Sequence, residues 1–409
     1  MNILYLAFAC NPYTGSEAQC GWSWVNGMRK FAQVSVVTRT ENRENIQRYL
    51  QENQINNIKV YYCDVPDILN IYYKTHKGYH IYYLMWQKVA YHLVKKINQK
   101  EKFDIIHHVT LGDFRYLGPY WKLGSKVVFG PVGGAQLTPK VFAPYVKNEK
   151  KSEKIREWIN TLVMKAPSYR KKLNKTSLVL AANKETQKML QNCMDNPEKC
   201  ELLTENGVQY EKSNGYIERE STKNTILLWS GRMVNRKGLS FLLDAIQLLP
   251  KEKNFQLVLV GDGPEKKILK EKATTLGLGD KVIFAGRVTY ETMQEYYKKA
   301  DVFVFPSLRE TTGTVLFEAM SNGLPIISFN QNGAQLLLDD SCGIRVNIDS
   351  SLADILKSFA NAIEKMIDSP EKRKEMGNNA YKKIVSQYIW ERKCELFFER
   401  YENIRGEQE

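Results

Sequence analysis

No apolar run in the sequence reaches the ~18 residues that a membrane-spanning helix needs, so no segment is expected to cross a bilayer. There is no Cys-x-x-Cys, and the seven cysteines (Cys10, Cys20, Cys63, Cys193, Cys200, Cys342 and Cys394) are scattered and odd in number. A disulfide framework or a zinc site is therefore not expected, and a reducing, cytoplasmic compartment is. The first apolar stretch is followed by Asn11 to Glu17 rather than by Gly-x-Gly-x-x-Gly, so the dinucleotide fingerprint is missing. Low-complexity tracts and short-period repeats are absent. With 43% hydrophobic and 25% charged residues, the composition excludes a mostly disordered chain. Met1 to Phe8 is apolar but has neither a basic leader nor a small-residue cleavage site; it reads as a first buried strand.

What the chain does have is length for two or three domains, with 409 residues, and an uneven charge. The net charge is +14. Residues 1–200 hold 30 Lys+Arg against 15 Asp+Glu, whereas residues 201–409 hold 29 against 30. All the excess positive charge lies in the first half, which points to an anionic partner there, either nucleic acid or an acidic membrane surface. A nucleic-acid reader should carry a recognition module beside its basic patch, and none is found. Two basic stretches stand out. Tyr82 to Lys96 reads as a core-facing aromatic stripe with a solvated outer face. Lys150 to Lys175 holds nine basic residues around Trp158, Ile159, Leu162, Val163 and Met164, a pattern that suits the interface of an anionic membrane, the alternative being a core-facing apolar stripe with a solvated outer face.

Both halves alternate β-rich runs with helical patterns, the rhythm of βα units. The first half offers strands at Ile3 to Phe8, Val34 to Thr38, Ile58 to Cys63, Asp104 to Val109, Val127 to Phe129 and Leu178 to Ala182. The second offers Ile226 to Ser230, Gln256 to Val260, Val282 to Phe284, Val302 to Phe305 and Pro325 to Ser328. Several are continuous apolar runs, as expected of parallel strands covered on both faces. Ser16 with Gln19 predicts a capping box after the first strand. Asp262-Gly263-Pro264-Glu265 predicts a turn with proline at a helix start. The polar stretch Asn206 to Asn224 marks the domain boundary. Two helical stretches follow Pro370, the last near Trp390 to Asn403.

Two constellations carry chemistry. After the strand ending at Phe305 comes Pro306-Ser307-Leu308-Arg309-Glu310-Thr311-Thr312-Gly313-Thr314-Val315-Leu316-Phe317-Glu318-Ala319-Met320-Ser321-Asn322-Gly323-Leu324-Pro325. Glu310 falls in the loop and Glu318 on the following helix. Two carboxylates so spaced suit successive hydroxyl groups of one extended ligand, the alternative being a loop Glu and a helix-surface Glu. After the strand ending at Ser230 comes Gly231-Arg232-Met233-Val234-Asn235-Arg236-Lys237-Gly238. Here Arg232 and Lys237, framed by glycines, suit a phosphate clamp, or simply an ordinary basic loop.

Together these segments resemble the retaining glycosyltransferase family 4. Gly261-Asp262-Gly263-Pro264 and Ala300-Asp301-Val302-Phe303-Val304-Phe305-Pro306-Ser307 add to the likeness. Cys10-Asn11-Pro12-Tyr13-Thr14-Gly15-Ser16-Glu17, Gly21-Trp22, His107-His108-Val109-Thr110 and Gly130-Pro131-Val132-Gly133-Gly134 resemble a bacterial subgroup of it. The resemblance implies an α/β GT-B fold: two Rossmann-like doubly wound domains facing across a cleft. An acceptor domain would span 1–205 and a nucleotide-sugar donor domain 206–385, with a helix at 386–409 crossing back to the first domain. It also implies roles. Arg232 and Lys237, with Gly231 beside them, would bind the donor diphosphate; Glu310 would contact hydroxyls of the transferred sugar and Glu318 the ribose. The amides after Gly313, beginning at Thr314, would lie near the diphosphate at a helix N-terminus. Gly15, on the donor side, and Gly133 and Gly134, on the acceptor side, read as points of close backbone approach.

The implied reaction moves a sugar from a UDP- or GDP-linked donor to a saccharide acceptor with retention, and its acceptor, if lipid-linked, would place the chain on the inner membrane face. Lipopolysaccharide, capsule or exopolysaccharide assembly is the implied setting. No Asp-x-Asp is present to hold a metal, so Arg232 and Lys237 are expected to stabilise the leaving group, with no cofactor. A phosphorylase or a sugar-nucleotide epimerase on the same scaffold is the alternative, and a basic nucleic-acid-binding protein a further one. Many relatives carry a histidine after the strand that here ends at Phe129. This chain has Gly-Pro-Val-Gly-Gly there, and His107 and His108 are the substitutes. Neighbouring strand residues face opposite ways, so one at most meets the cleft; His108 is the catalytic candidate and His107 the acceptor-side one, a buried structural histidine being the alternative.

Overall fold

The computed structural model describes residues 1–69, 78–209 and 224–406. They form two compact units. The first comprises Met1–Ala135, Trp158–Gly207 and Trp390–Glu409, the second Gln136–Glu157 and Val208–Ile389.

The first unit is built on a parallel sheet of β1 (Asn2–Ala7), β2 (Gln33–Thr38), β3 (Ile58–Tyr62), β4 (Ile105–Thr110), β5 (Lys126–Val132), β6 (Leu178–Ala181) and β7 (Cys200–Leu202). Its strand order is β3-β2-β1-β4-β5-β6-β7. Side chains alternate between the faces, as the pleat requires. Ile3, Tyr5 and Ala7 enter a core with Trp22, Trp24 and Val25 of the helix Ser16–Met28. Leu4, Leu6 and Phe8 enter another with Tyr82, Tyr83 and Trp86 of the helix Tyr79–Glu101. The aromatic stripe expected at 82–96 is thus core-facing. The last helix, Trp390–Gly406, joins the first core through Trp390, Cys394, Phe397 and Tyr401.

The second unit has β8 (Thr225–Ser230), β9 (Phe255–Val260), β10 (Val282–Gly286), β11 (Val302–Phe305), β12 (Ile326–Phe329) and β13 (Gly343–Val346). They pair in parallel in the order β10-β9-β8-β11-β12-β13. Again the strands are apolar on both sides: Leu227, Trp229, Leu257, Leu259, Val302 and Val304 line one core, Leu228, Val258, Val260, Phe303 and Phe305 the other. Both sheets are doubly wound. Strand order reverses between β1 and β4 in one and between β8 and β11 in the other, and crevices at such reversals are where sheets of this kind bind ligands.

The structure departs from the sequence reading in several places. β7 and β13 were not anticipated. Gly15, not the expected Ser16, takes the N-cap position of Ser16–Met28 and offers no side-chain cap. Pro264 sits in the turn two residues ahead of Lys266–Thr275 rather than inside the helix. Most of the expected boundary, 210–223, lies outside the described residues. The segment 136–157, assigned by sequence to the first domain, belongs to the second unit. Its Phe142 and Val146 are buried in the second unit's core, and its Tyr145 hydroxyl donates to Asp244 at 2.9 Å. Among the described residues no helix is long and apolar enough to cross a membrane.

Candidate functional site

In the second unit the loops after β8, β11 and β12 converge. The β8 loop leaves the sheet through Gly231, with φ +149°, and closes on Gly238, with φ +71°. A Cβ at Gly238 would strike the Pro306 carbonyl oxygen, so only glycine brings the two loops this close. Backbone bonding ties them: Leu308 N–H donates to the Arg236 carbonyl at 2.8 Å.

The loop after β11 carries Glu310 to the opening of the β8 loop. Its carboxylate forms an ion pair with Lys237 and lies 3.5 Å from the Arg236 guanidinium. Burial pushes the Glu310 carboxyl pKa up, but Lys237 and Arg236 outweigh it and hold the group below its ordinary value. Its backbone N–H donates to the Asn332 side chain at 2.9 Å. Asn332 itself has φ +52°, a conformation uncommon outside glycine. Gln331 donates to the Ser307 and Leu308 carbonyls at 3.1 and 3.2 Å. The loop after β11 is therefore set by β12-loop residues that sequence reasoning missed. The only trace of them there was the turn-prone Asn332-Gly333 pair.

Glu318 lies on the helix Thr314–Ser321, whose N-cap is Gly313 with φ +89°. Its carboxylate accepts from the Tyr297 hydroxyl at 2.8 Å, and that hydroxyl lies 3.2 Å from Ser230 Oγ at the end of β8. Glu318 is thus tied to the same strand ends as Glu310. Arg232 differs from Lys237: it is exposed, and among the described residues its guanidinium has no hydrogen bond or ion pair. The site holds one neutralised carboxylate, one carboxylate fixed by a tyrosine, two engaged cations and one available cation. Such a set can grip an extended polyhydroxylated anion. Among the described residues no group of three or more His, Cys, Asp and Glu is placed to hold a metal.

The first unit corrects the histidine assignment. His107 and His108 are both buried, on opposite faces of β4. His107 bonds the Tyr401 hydroxyl and, at 2.7 Å, the Gly130 carbonyl. His108 shares a 2.5 Å hydrogen bond with the Tyr83 hydroxyl. Burial lowers their pKa values to about 3 and about 4. Neither meets solvent, so the catalytic placement of His108 and the acceptor-side placement of His107 give way to a structural role. Gly133 and Gly134 do lie at a strand end. Gly133 exchanges backbone bonds with Gly112 and Phe114, and a Cβ at Gly134, φ +117°, would press on Phe114 and Asp113. Gly15 is exposed with open space around it and an ordinary φ of −74°, so nothing there requires glycine for backbone geometry. Glu17, two residues on, accepts from the Gly112 N–H at 2.7 Å.

Residues 216–383, less than half of the chain, match the family described as "Glycosyl transferases group 1". The lipopolysaccharide core biosynthesis glycosyltransferase LpsE of Rhizobium meliloti is 31% identical over 164 residues, 40% of this chain and 45% of that protein. A GalNAc transferase of Campylobacter jejuni, whose name gives a diNAcBac-PP-undecaprenol-linked acceptor, is 34% identical over 162 residues, 39% and 43% of the two chains. The chain spans less than half the length of these curated relatives. The structure of Anabaena HepE in complex with UDP superposes with a TM-score of 0.64 at 17% identity, covering 98% of this chain and 100% of that one. The fold is thus α/β of the GT-B kind, two Rossmann-like units, and the matched segment contains Arg232, Lys237, Glu310 and Glu318.

Proposed function

We propose that this chain is a retaining glycosyltransferase that moves a sugar from a nucleoside-diphosphate sugar to a hydroxyl group of a saccharide acceptor. One observation carries the reading: Lys237, Arg236 and Glu310 converge where the strand order reverses between β8 and β11, the ligand crevice of a doubly wound sheet. In this reading Arg232 and Lys237 bind the diphosphate, Glu310 the hydroxyls of the transferred sugar and Glu318 the ribose. Donor phosphate competes with Glu310 for Lys237, which frees the carboxylate to accept from sugar hydroxyls.

The bond between the sugar and the diphosphate breaks as the acceptor oxygen bonds the same carbon from the leaving-group side, and a phosphate oxygen takes the hydroxyl proton. Negative charge grows on the diphosphate, where fixed cations act most strongly. The lipopolysaccharide and undecaprenol-linked relatives support a setting in cell-surface polysaccharide synthesis. A lipid-linked acceptor fits the basic first half of the sequence and the exposed Ile155, Trp158 and Leu162 of the helix Lys150–Lys165.

The test is a screen of UDP-, GDP- and ADP-linked hexoses for nucleoside diphosphate release. The reading expects release from one donor, faster with saccharide acceptors, and a product of unchanged anomeric configuration. Phosphate-dependent turnover of a disaccharide without any nucleotide would replace it with a phosphorylase.

A further inference from the structure

Glu310 stands between two residues that are held from outside the donor half of the sequence. Arg309, on one side, pairs with Glu153 at 2.9 Å and lies 3.8 Å from Glu149. These three side chains are 14%, 16% and 23% exposed, so the pairs are substantially shielded from water. On the other side, the Thr311 hydroxyl accepts from the Gln136 amide at 2.8 Å. Gln136, Glu149 and Glu153 all belong to 136–157, the segment that the second unit takes from the first half of the sequence.

That segment is firmly anchored. The Phe142 ring packs on Phe329 and Phe241 at centroid distances of 4.8 and 5.7 Å, and Tyr145 bonds Asp244, which also pairs with Lys272 at 2.7 Å. Glu153 takes the Thr138 N–H at 3.2 Å on its other oxygen, which fixes its carboxylate towards Arg309. It also sits in the first turn of its helix, where a negative charge is favoured. Two consequences follow for Glu310. The backbone on each side of it is pinned, in addition to its own N–H on Asn332. And Arg309 is neutralised by its own partners, so the Glu310 carboxylate is left to Lys237 and Arg236.

We propose that Glu153 and Gln136 are positioning residues for Glu310: through Arg309 and Thr311 they set where its carboxylate meets the donor sugar. The proposal rests on the donor-site reading above. It separates two properties that the reading alone does not. Diphosphate affinity, which belongs to Arg232 and Lys237, should not depend on Glu153, whereas sugar transfer should.

The experiment compares wild type with Glu153→Gln, Gln136→Ala and the charge swap Glu153→Arg with Arg309→Glu. Hydrogen exchange at 308–313 reports the loop, calorimetric titration with UDP, GDP and ADP reports the diphosphate site, and turnover of the hexose donors reports transfer. Loss of the shielded Arg309–Glu153 ion pair or of the Gln136–Thr311 hydrogen bond should speed loop exchange and lower kcat about tenfold, with nucleoside diphosphate affinity within twofold of wild type. The swap, which sets a carboxylate at 309 against Glu149, should restore both only in part. Unchanged loop exchange, or unchanged kcat despite faster exchange, overturns the proposal. If wild type binds none of the three diphosphates, the donor-site reading fails by itself, and the exchange data still decide whether the segment positions the loop.

Discussion

Lowering the pH from 7 to 5 should cost the protein about 4 kcal/mol of stability, because His107 and His108 cannot take up protons while folded. Both lie in the first unit's core, His107 among Tyr5, Trp24 and Phe397, His108 against Tyr83, Tyr120 and Phe129. Their folded pKa values of about 3 and about 4 lie below the ordinary value of 6.5. Between pH 6.5 and those values the unfolded chain binds more protons, so stability falls as pH falls. Each pH unit is worth ~1.4 kcal/mol per histidine, or about 2 kcal/mol each by pH 5. That is a large part of the ~5–15 kcal/mol of a typical domain. Glu17 acts in the opposite sense: burial raises its pKa, so its protonation favours the folded state as acid is added. Urea unfolding at pH 7 and pH 5, followed by tryptophan fluorescence, measures the difference. In His108→Gln the dependence should drop by about 2 kcal/mol. A change below ~1 kcal/mol in wild type, or a well-folded His108→Gln that loses turnover with its pH dependence intact, would refute the structural role and return His108 to the reaction.

Three further outcomes follow from the geometry. Lys237→Ala should lower kcat/KM by two to three orders of magnitude, since removal of one preorganised charge contact costs ~3–4 kcal/mol in the transition state; steady-state kinetics with the accepted donor checks it. Phe142→Ala should destabilise the second unit by about 3–5 kcal/mol, visible as a lower urea midpoint, whereas an unchanged midpoint would deny 136–157 its place in that core. Gly238→Ala forces a Cβ onto the Pro306 carbonyl oxygen at φ +71°. It should cost at least ~1–3 kcal/mol and weaken nucleotide binding together with stability, both measurable by thermal denaturation with and without UDP or GDP.

Much of this was legible in the sequence because parallel strands buried on both faces leave continuous apolar runs. Val302 to Phe305 was read to the residue, and most other strands to within one or two. Glu310, Lys237 and Glu318 stand out in the sequence as carboxylates and a cation that follow apolar strands, and the structure brings Glu310 and Lys237 into one ion pair. β7 and β13 escaped because Cys200-Glu201-Leu202 and Gly343-Ile344-Arg345-Val346 are too short and too polar to show a period. The roles of Asn332, Tyr297 and Glu153 were hidden for another reason: each depends on which distant loop packs beside it, and spacing along the chain does not encode that. The histidines show the same limit. Alternation put His107 and His108 on opposite faces, as observed, but could not tell that aromatic side chains cover both faces at that height of β4. Segment 136–157 falls in the first domain by sequence because the boundary is drawn at the polar stretch Asn206 to Asn224, and nothing along the chain marks Phe142 and Val146 as side chains buried in the second unit's core.

The most direct test of the account is calorimetric titration of the wild-type chain and of Arg232→Ala with UDP, GDP and ADP. Arg232 is exposed and without a partner among the described residues, so its removal should leave the fold intact and report on ligand binding alone. The account predicts that one diphosphate binds wild type and that Arg232→Ala weakens it at least tenfold, the loss of a charge-assisted contact. A wild type that binds none of them, or a variant that binds as tightly as wild type, would contradict the assignment of this site to a sugar-nucleotide donor.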